Sequence, residues 1–183
     1  MGTDIHASFQ IKRDGQWVDV ESTWEQHRHY FLFAWLAGVR NGVGFAGVPT
    51  HEPIRPISEP RGLPDDLGGD GDDECDFGDH HQSWLSADEI LSAPLPGATM
   101  RTGVIDRKDF ELWDKKSRPH SYCGAIAGPG VVVSPVDEVG DPTTHVQVSW
   151  CENGADELQY FVDEVRRLRT AHGVVRLVFG FDS

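Results

Sequence analysis

Near the start of this chain an aspartate and a histidine stand two residues apart, in Asp4-Ile5-His6. The residues after them alternate in kind: Asp4, His6, Ser8 and Gln10 against Ile5, Ala7, Phe9 and Ile11. That period of two is the pattern of a half-buried β-strand, whose successive side chains leave opposite faces. It sets a carboxylate and an imidazole on one surface, roughly 7 Å apart along the backbone. Such a pair suits a divalent metal (zinc, manganese or magnesium) or acid–base work on a phosphate ester. Asp4 and His6 are therefore the first candidates for catalysis and for metal ligation.

Other chemistry-bearing residues lie further along. Arg28, Arg40, Arg55 and Arg61 sit in or beside apolar and turn-rich stretches, where a guanidinium must be paired or is available to a phosphate or carboxylate. Arg28, Arg40 and Arg61 are the expected anion contacts, with Tyr30 or Trp84 to stack a base and His80 to assist the acid–base pair. His27 and His29 read as polar surface positions ahead of a buried helix. Cys75, His80, His81, His120 and Cys123 carry only a weak zinc signal, because no close Cys-x-x-Cys pair accompanies them. A calcium loop starting at Asp70 fails, since its sixth position is Cys75 where an EF-hand requires glycine. Asp-x-His on a first strand also opens many metal-dependent phosphoesterases, but their Gly-Asn-His and Gly-His-x-His pieces are absent. So are a Gly-x-Ser-x-Gly elbow and a P-loop.

The chain has 183 residues and a formal charge of −14. That balance argues against a long nucleic acid as partner, because phosphate binding runs on clustered Lys and Arg. More than half of the excess sits in Asp65, Asp66, Asp70, Asp72, Asp73, Glu74, Asp76 and Asp79, so a positive pocket for a small anion elsewhere is compatible with the total. This run reads as a solvated, mobile loop and a candidate lid. Neither a membrane span nor a signal peptide is read from the pattern, and three scattered cysteines fit a reducing cytoplasm. The oligomeric state is left open.

The elements that must hold these groups are legible in part. A strand over 3–12 turns at Asp14-Gly15 into a second strand over 16–20. Residues 30–39 are apolar almost all round, as in a buried helix. Residues 41–82 read as a long loop, with 53–64 ordered by its prolines and apolar anchors and 65–79 mobile. Ser86-Ala-Asp-Glu89 is a capping box opening a short helix. A helix over 106–116, strands near 130–134 and 144–151, a clear helix over 157–172 stopped by Gly173, and a last strand over 174–182 complete the pattern. Together they predict one α+β domain, with a largely antiparallel sheet, a few helices and a long functional loop.

Several stretches resemble a family of small bacteriophage and prophage proteins that open Met-Gly-Cys-Asp-Ile-His. They are Met1-Gly-Thr-Asp-Ile-His6, Arg28-His-Tyr-Phe-Leu-Phe-Ala34, Leu36-Ala-Gly-Val-Arg-Asn41, residues 56–65, Ser83-Trp-Leu85 and residues 175–182. Thr3 stands where the family has Cys, and residues 80–82 depart from its His-rich stretch. The resemblance implies a phage context in the host cytoplasm, where small proteins counter host defences. Three readings follow. The chain binds and hydrolyses a nucleotide-derived signal such as a cyclic dinucleotide or an ADP-ribose-type molecule. It captures such a signal unchanged, as a sponge. Or its acidic surface inhibits a protein, as a DNA mimic does.

Overall fold

The computed structural model describes residues 2–41, 52–68 and 77–183. The α+β pattern holds, with the strands divided between two sheets. β1 (Asp4–Arg13) turns into β2 (Gln16–Val20) through Asp14 and Gly15, both at positive φ as a two-residue hairpin requires. β7 (Val175–Asp182), the last strand in the chain, lies between β1 and β3 (His80–Ser86). All pairings in this sheet are antiparallel, and eight consecutive residues of β1 match β7, from Asp4 opposite Asp182 to Ile11 opposite Val175.

A strand in that position is covered on both sides, and Val175 through Phe181 are all buried. Leu177, Phe179 and Phe181 join Ile5, Phe9, Ile11 and Leu85 in the main core. Against them pack α1 (Tyr30–Ala37) and α4 (Gly154–His172). Every residue of α1 from Phe31 to Ala37 is buried, as its unbroken apolar run requires, and Gly38 at φ 72° closes it. α4 buries the stripe Leu158, Phe161, Val162, Val165 and Leu168. It starts at Gly154 rather than 157, because Asn153 supplies the cap. Burying each such large apolar side chain contributes roughly 1.5–3 kcal/mol.

The other face of β7, with Arg176, Val178 and Gly180, is covered by the ends of the long loop. Arg176, 3% exposed, donates to Gln10 Oε1 (2.9 Å), to the Asp66 carboxylate (2.6 Å) and to the Asp66 carbonyl (2.7 Å), and lies 4.1 Å from the centre of the Trp17 ring. Asp66, read from sequence as part of a mobile run, is therefore tied down. Its carboxyl sits below the usual carboxylate range because Arg176 donates to it. Residues 53–64 are ordered as expected, while 69–76 lie outside the described residues.

The second sheet runs β4 (Ala98–Asp106), β6 (His145–Asn153), β5 (Val133–Pro135), with β5 parallel to β6. Ile105, Val146, Val148 and Trp150 form a smaller core, with Phe110, Trp113, Tyr122 and Val139 against it. α2 (Ala87–Ser92) carries the expected capping box. α3 (Arg107–Leu112) is shorter than the 106–116 expected. Asp114 diverts the chain, accepting from the backbone N–H groups of Lys116 and Ser117 and from the Ser117 hydroxyl, and Lys115 takes φ 63°. Two strands, β3 and β4, were not anticipated. Among the described residues, no helix is long and apolar enough to cross a membrane.

Gly180 faces the carbonyl of Phe77, and a Cβ there would lie 1.8 Å from that oxygen. Gly180→Ala is expected to push the Phe77–Gly78 backbone off the sheet and lower stability by about 1–3 kcal/mol in urea unfolding. Unchanged stability would show that this cover is not packed as described.

Candidate functional site

The first residues of β1, the last of β7 and the first of β3 meet at one end of the main sheet. On its polar face Arg28 donates from Nε and Nη2 to the two carboxylate oxygens of Asp4, each at 2.7 Å. These bonds hold the Asp4 carboxyl below its usual range and push Arg28 up. His6 Nε2 lies 3.0 Å from Asp182 Oδ2, a diagonal neighbour across the β1–β7 ladder. Asp4 and His6 do share one face, as their spacing predicts, but each is engaged by another group.

On the opposite side of the same sheet end, Arg40 Nε donates to Thr3 Oγ1 at 2.7 Å, and its guanidinium lies 5.8 Å from the Tyr30 ring centre. Thr3 Oγ1 is 3.0 Å from Ser183 Oγ, which is 3.1 Å from His80 Nε2. His80 stacks on Phe181 at 6.0 Å and so lies on the core side, away from the His6–Asp182 pair. Arg40, Tyr30 and His80 are thus brought together, but not around Asp4 and His6. Arg61 and Trp84 form a separate stack at 5.1 Å, with Arg61 also paired to Glu89. Glu89, drawn down to about 2 by Arg61 first and by the Ser86 bonds, is occupied as the capping residue of α2. The single convergence of acid, imidazole and arginines expected from sequence is divided among three places.

A further concavity opens between α1 and the segment before it, the start of α4, and Arg101 of β4 with residues 118–122. The segment before α1 crosses there, anchored at its start by Glu164. That carboxylate accepts from Ser22 Oγ (2.8 Å), Thr23 N (2.8 Å), Thr23 Oγ1 (2.9 Å) and both prongs of Arg167 (2.7 Å each). Further on, the Gln26 amide bonds the N–H and C=O of Ala7, closing the edge of β1 that β2 leaves uncovered. So held, His27, Arg28 and His29 line a cavity of about 530 Å³. Arg101, Arg118 and Tyr122 form its opposite wall, and Glu157 and Tyr160 at the start of α4 form a third.

Each wall has a definite chemical state. His29, read from sequence as a surface residue, is instead the cap of α1. Its Nδ1 accepts from Leu32 N–H at 3.2 Å, so the ring proton sits on Nε2, 3.5 Å from Glu157 Oε2. Burial pushes its pKa down, and Glu157 opposes that shift. Arg101 and Glu152 form an ion pair at 2.8 Å with both side chains 3% exposed, and Trp150 Nε1 also donates to Glu152. Arg118, half exposed, lies 3.6 Å from Glu152 and 5.4 Å from the Tyr122 ring centre. Tyr160 donates its hydroxyl to the Thr23 carbonyl and leaves 56% of its surface open. The lining combines three guanidiniums with aromatic rings, and the carboxylates of Asp4, Glu152 and Glu157 stand against the three charges.

Sequence reasoning missed Arg101, Arg118, Tyr122, Glu157 and Tyr160. They come from three separate segments with no shared motif. The one available signal was Arg101, a charged residue at an inward position of a strand. Among the described residues no group of three or more His, Cys, Asp or Glu side chains is arranged to hold a metal ion. Cys75, weighed as a zinc ligand, lies outside the described residues. No protein family, curated protein or solved structure matches the chain.

Glu164 supports the cavity wall, and its folded pKa of about 2 lies below the ordinary 4.5. Its stabilising contribution is accordingly complete above about pH 4.5 and lost as pH falls toward about 2. Glu164→Gln should cost about 1–3 kcal/mol at pH 7 and flatten the acid limb of a stability–pH curve. An unaltered acid limb would contradict that role.

Proposed function

We propose that this protein binds a small anionic, nucleotide-type ligand in the cavity between the segment before α1, the start of α4 and Arg101 with residues 118–122, and holds it unchanged. The observation that supports this reading is the lining. Arg28, Arg101 and Arg118 face one space of about 530 Å³ in a chain of net charge −14. That volume is in the range of small-molecule sites. Guanidiniums grip phosphate through paired N–H groups, and the open ring of Tyr160 offers a face for a base. Arg118 is the first phosphate contact, because it is half exposed and meets Glu152 only at 3.6 Å, whereas Arg28 and Arg101 are held at 2.7 and 2.8 Å by Asp4 and Glu152. Glu157, with His29 beside it, suits the amino or imino edge of a base.

Capture is favoured over hydrolysis by Asp4 and His6 because both carboxylate oxygens of Asp4 receive Arg28 and His6 pairs with Asp182. The resemblance to phage proteins adds a context, in which the protein would withhold a nucleotide immune signal from the host.

Calorimetric titration with ADP-ribose and with a cyclic dinucleotide tests the reading. At least one is expected to bind and to be recovered intact. Arg118→Ala should weaken binding about tenfold or more, while His6→Gln leaves it unchanged. Absence of binding by both, or loss of binding in His6→Gln alone, would overturn it.

A further inference from the structure

The second cluster at the sheet end has its own logic, independent of the cavity. Thr3, Ser183, His80 and His81 form a continuous hydrogen-bonded chain that begins at Arg40. Arg40 Nε can only donate, so Thr3 Oγ1 accepts from it and retains one hydrogen that it can donate to Ser183 Oγ, 3.0 Å away. Ser183 then directs its own hydrogen to His80 Nε2, 3.1 Å away. With Nε2 accepting, the His80 proton resides on Nδ1 and is donated to His81 Nδ1 at 2.8 Å. With Thr3 donating to Ser183, every hydrogen in the row points the same way. Burial, with His80 beside it, lowers the His81 pKa, which keeps that ring neutral and able to accept.

The backbone is shaped for this contact. Adjacent residues of a regular strand point to opposite faces, so His80 and His81 would not meet. Here the ladder between β3 and β7 shifts register between His80 and Ser83, and His81 takes φ 51°. A bulge of this kind turns a side chain round, and such strain recurs at active sites. The two rings end 4.9 Å apart, nearly perpendicular.

We propose that Ser183 is a nucleophile activated by His80, with His81 orienting the base, and that it accepts acyl groups from small carboxylic esters. A hydroxyl, a base and a third group fixing the tautomer of the base are the parts of a nucleophilic triad. Ser183 and His80 are the catalytic residues, while His81, Thr3 and Arg40 position them. The Ser183 and His81 side chains reach the surface, which leaves room for an ester to approach. As Ser183 Oγ forms its bond to the acyl carbon, His80 Nε2 takes the hydroxyl proton. The ester C–O bond breaks, and His80 returns that proton to the departing alkoxide. Water, deprotonated by His80, then attacks the acyl-serine, releasing the carboxylic acid and restoring the hydroxyl.

The test is p-nitrophenyl acetate with the full chain, followed by mass spectrometry of the peptides. A burst of p-nitrophenol with the acetyl group on Ser183 is expected. Ser183→Ala and His80→Gln should each slow the burst on the order of a hundredfold, and Ser183→Cys should keep it. Thermal unfolding of each variant shows whether the fold is retained. If a variant does not fold, the site of acetylation in the unaltered protein decides alone. No burst, acetyl on lysine or histidine only, or an unchanged rate in folded His80→Gln would overturn the proposal.

Discussion

The pairing of β1 with β7 over eight residues is the constraint on which the rest depends. It joins the two ends of the described chain and leaves β7 covered on both faces. One face must be apolar enough to receive α1 and α4. The other must offer polar anchors for the long loop. Leu177, Phe179 and Phe181 meet the first demand, and Arg176 meets the second through Gln10, Asp66 and Trp17. Breaking a buried arginine from its partners typically costs several kcal/mol. Arg176 therefore secures the loop to the sheet more firmly than surface ion pairs would.

That pairing also accounts for how the polar groups are distributed. Because β-strand side chains alternate, Asp4 and His6 are sent to the side that carries Asp182, while Thr3 and Ser183 go to the side that carries Arg40 and His80. One sheet end thus bears two chemically different surfaces. Arg28 links the polar one to the cavity, with its guanidinium on Asp4 while it also lines that cavity. The cavity itself exists because residues 22–29 are stretched between Glu164 and the cap at His29, which fixes three consecutive side chains along one wall.

Legibility followed locality. The hairpin at Asp14-Gly15, the capping box at Ser86, the stripe of α4 and its stop at Gly173 are short-range patterns, and each took the form its residues predict. β3 was hidden by its bulge, since positive φ at His81 breaks the alternation just where a strand would be recognised. β4 was hidden for another reason. Arg101 faces inward toward Glu152 and so inverts the expected polarity of that strand. The cavity lining was out of reach as a whole because Arg101, Arg118 and Glu157 join Arg28 through tertiary packing alone. His29 was misread because a histidine cap resembles a surface histidine until its Nδ1 is seen to accept from Leu32.

On the proposed function, a phosphate-bearing ligand sits in the cavity between α1, the start of α4 and residues 118–122, gripped by arginine. A crystal structure grown in the presence of ADP-ribose addresses it most directly. The account predicts phosphate within hydrogen-bonding distance of Arg118, with an aromatic base against Tyr160. A cavity holding only water, with the nucleotide bound elsewhere or not at all, would contradict it.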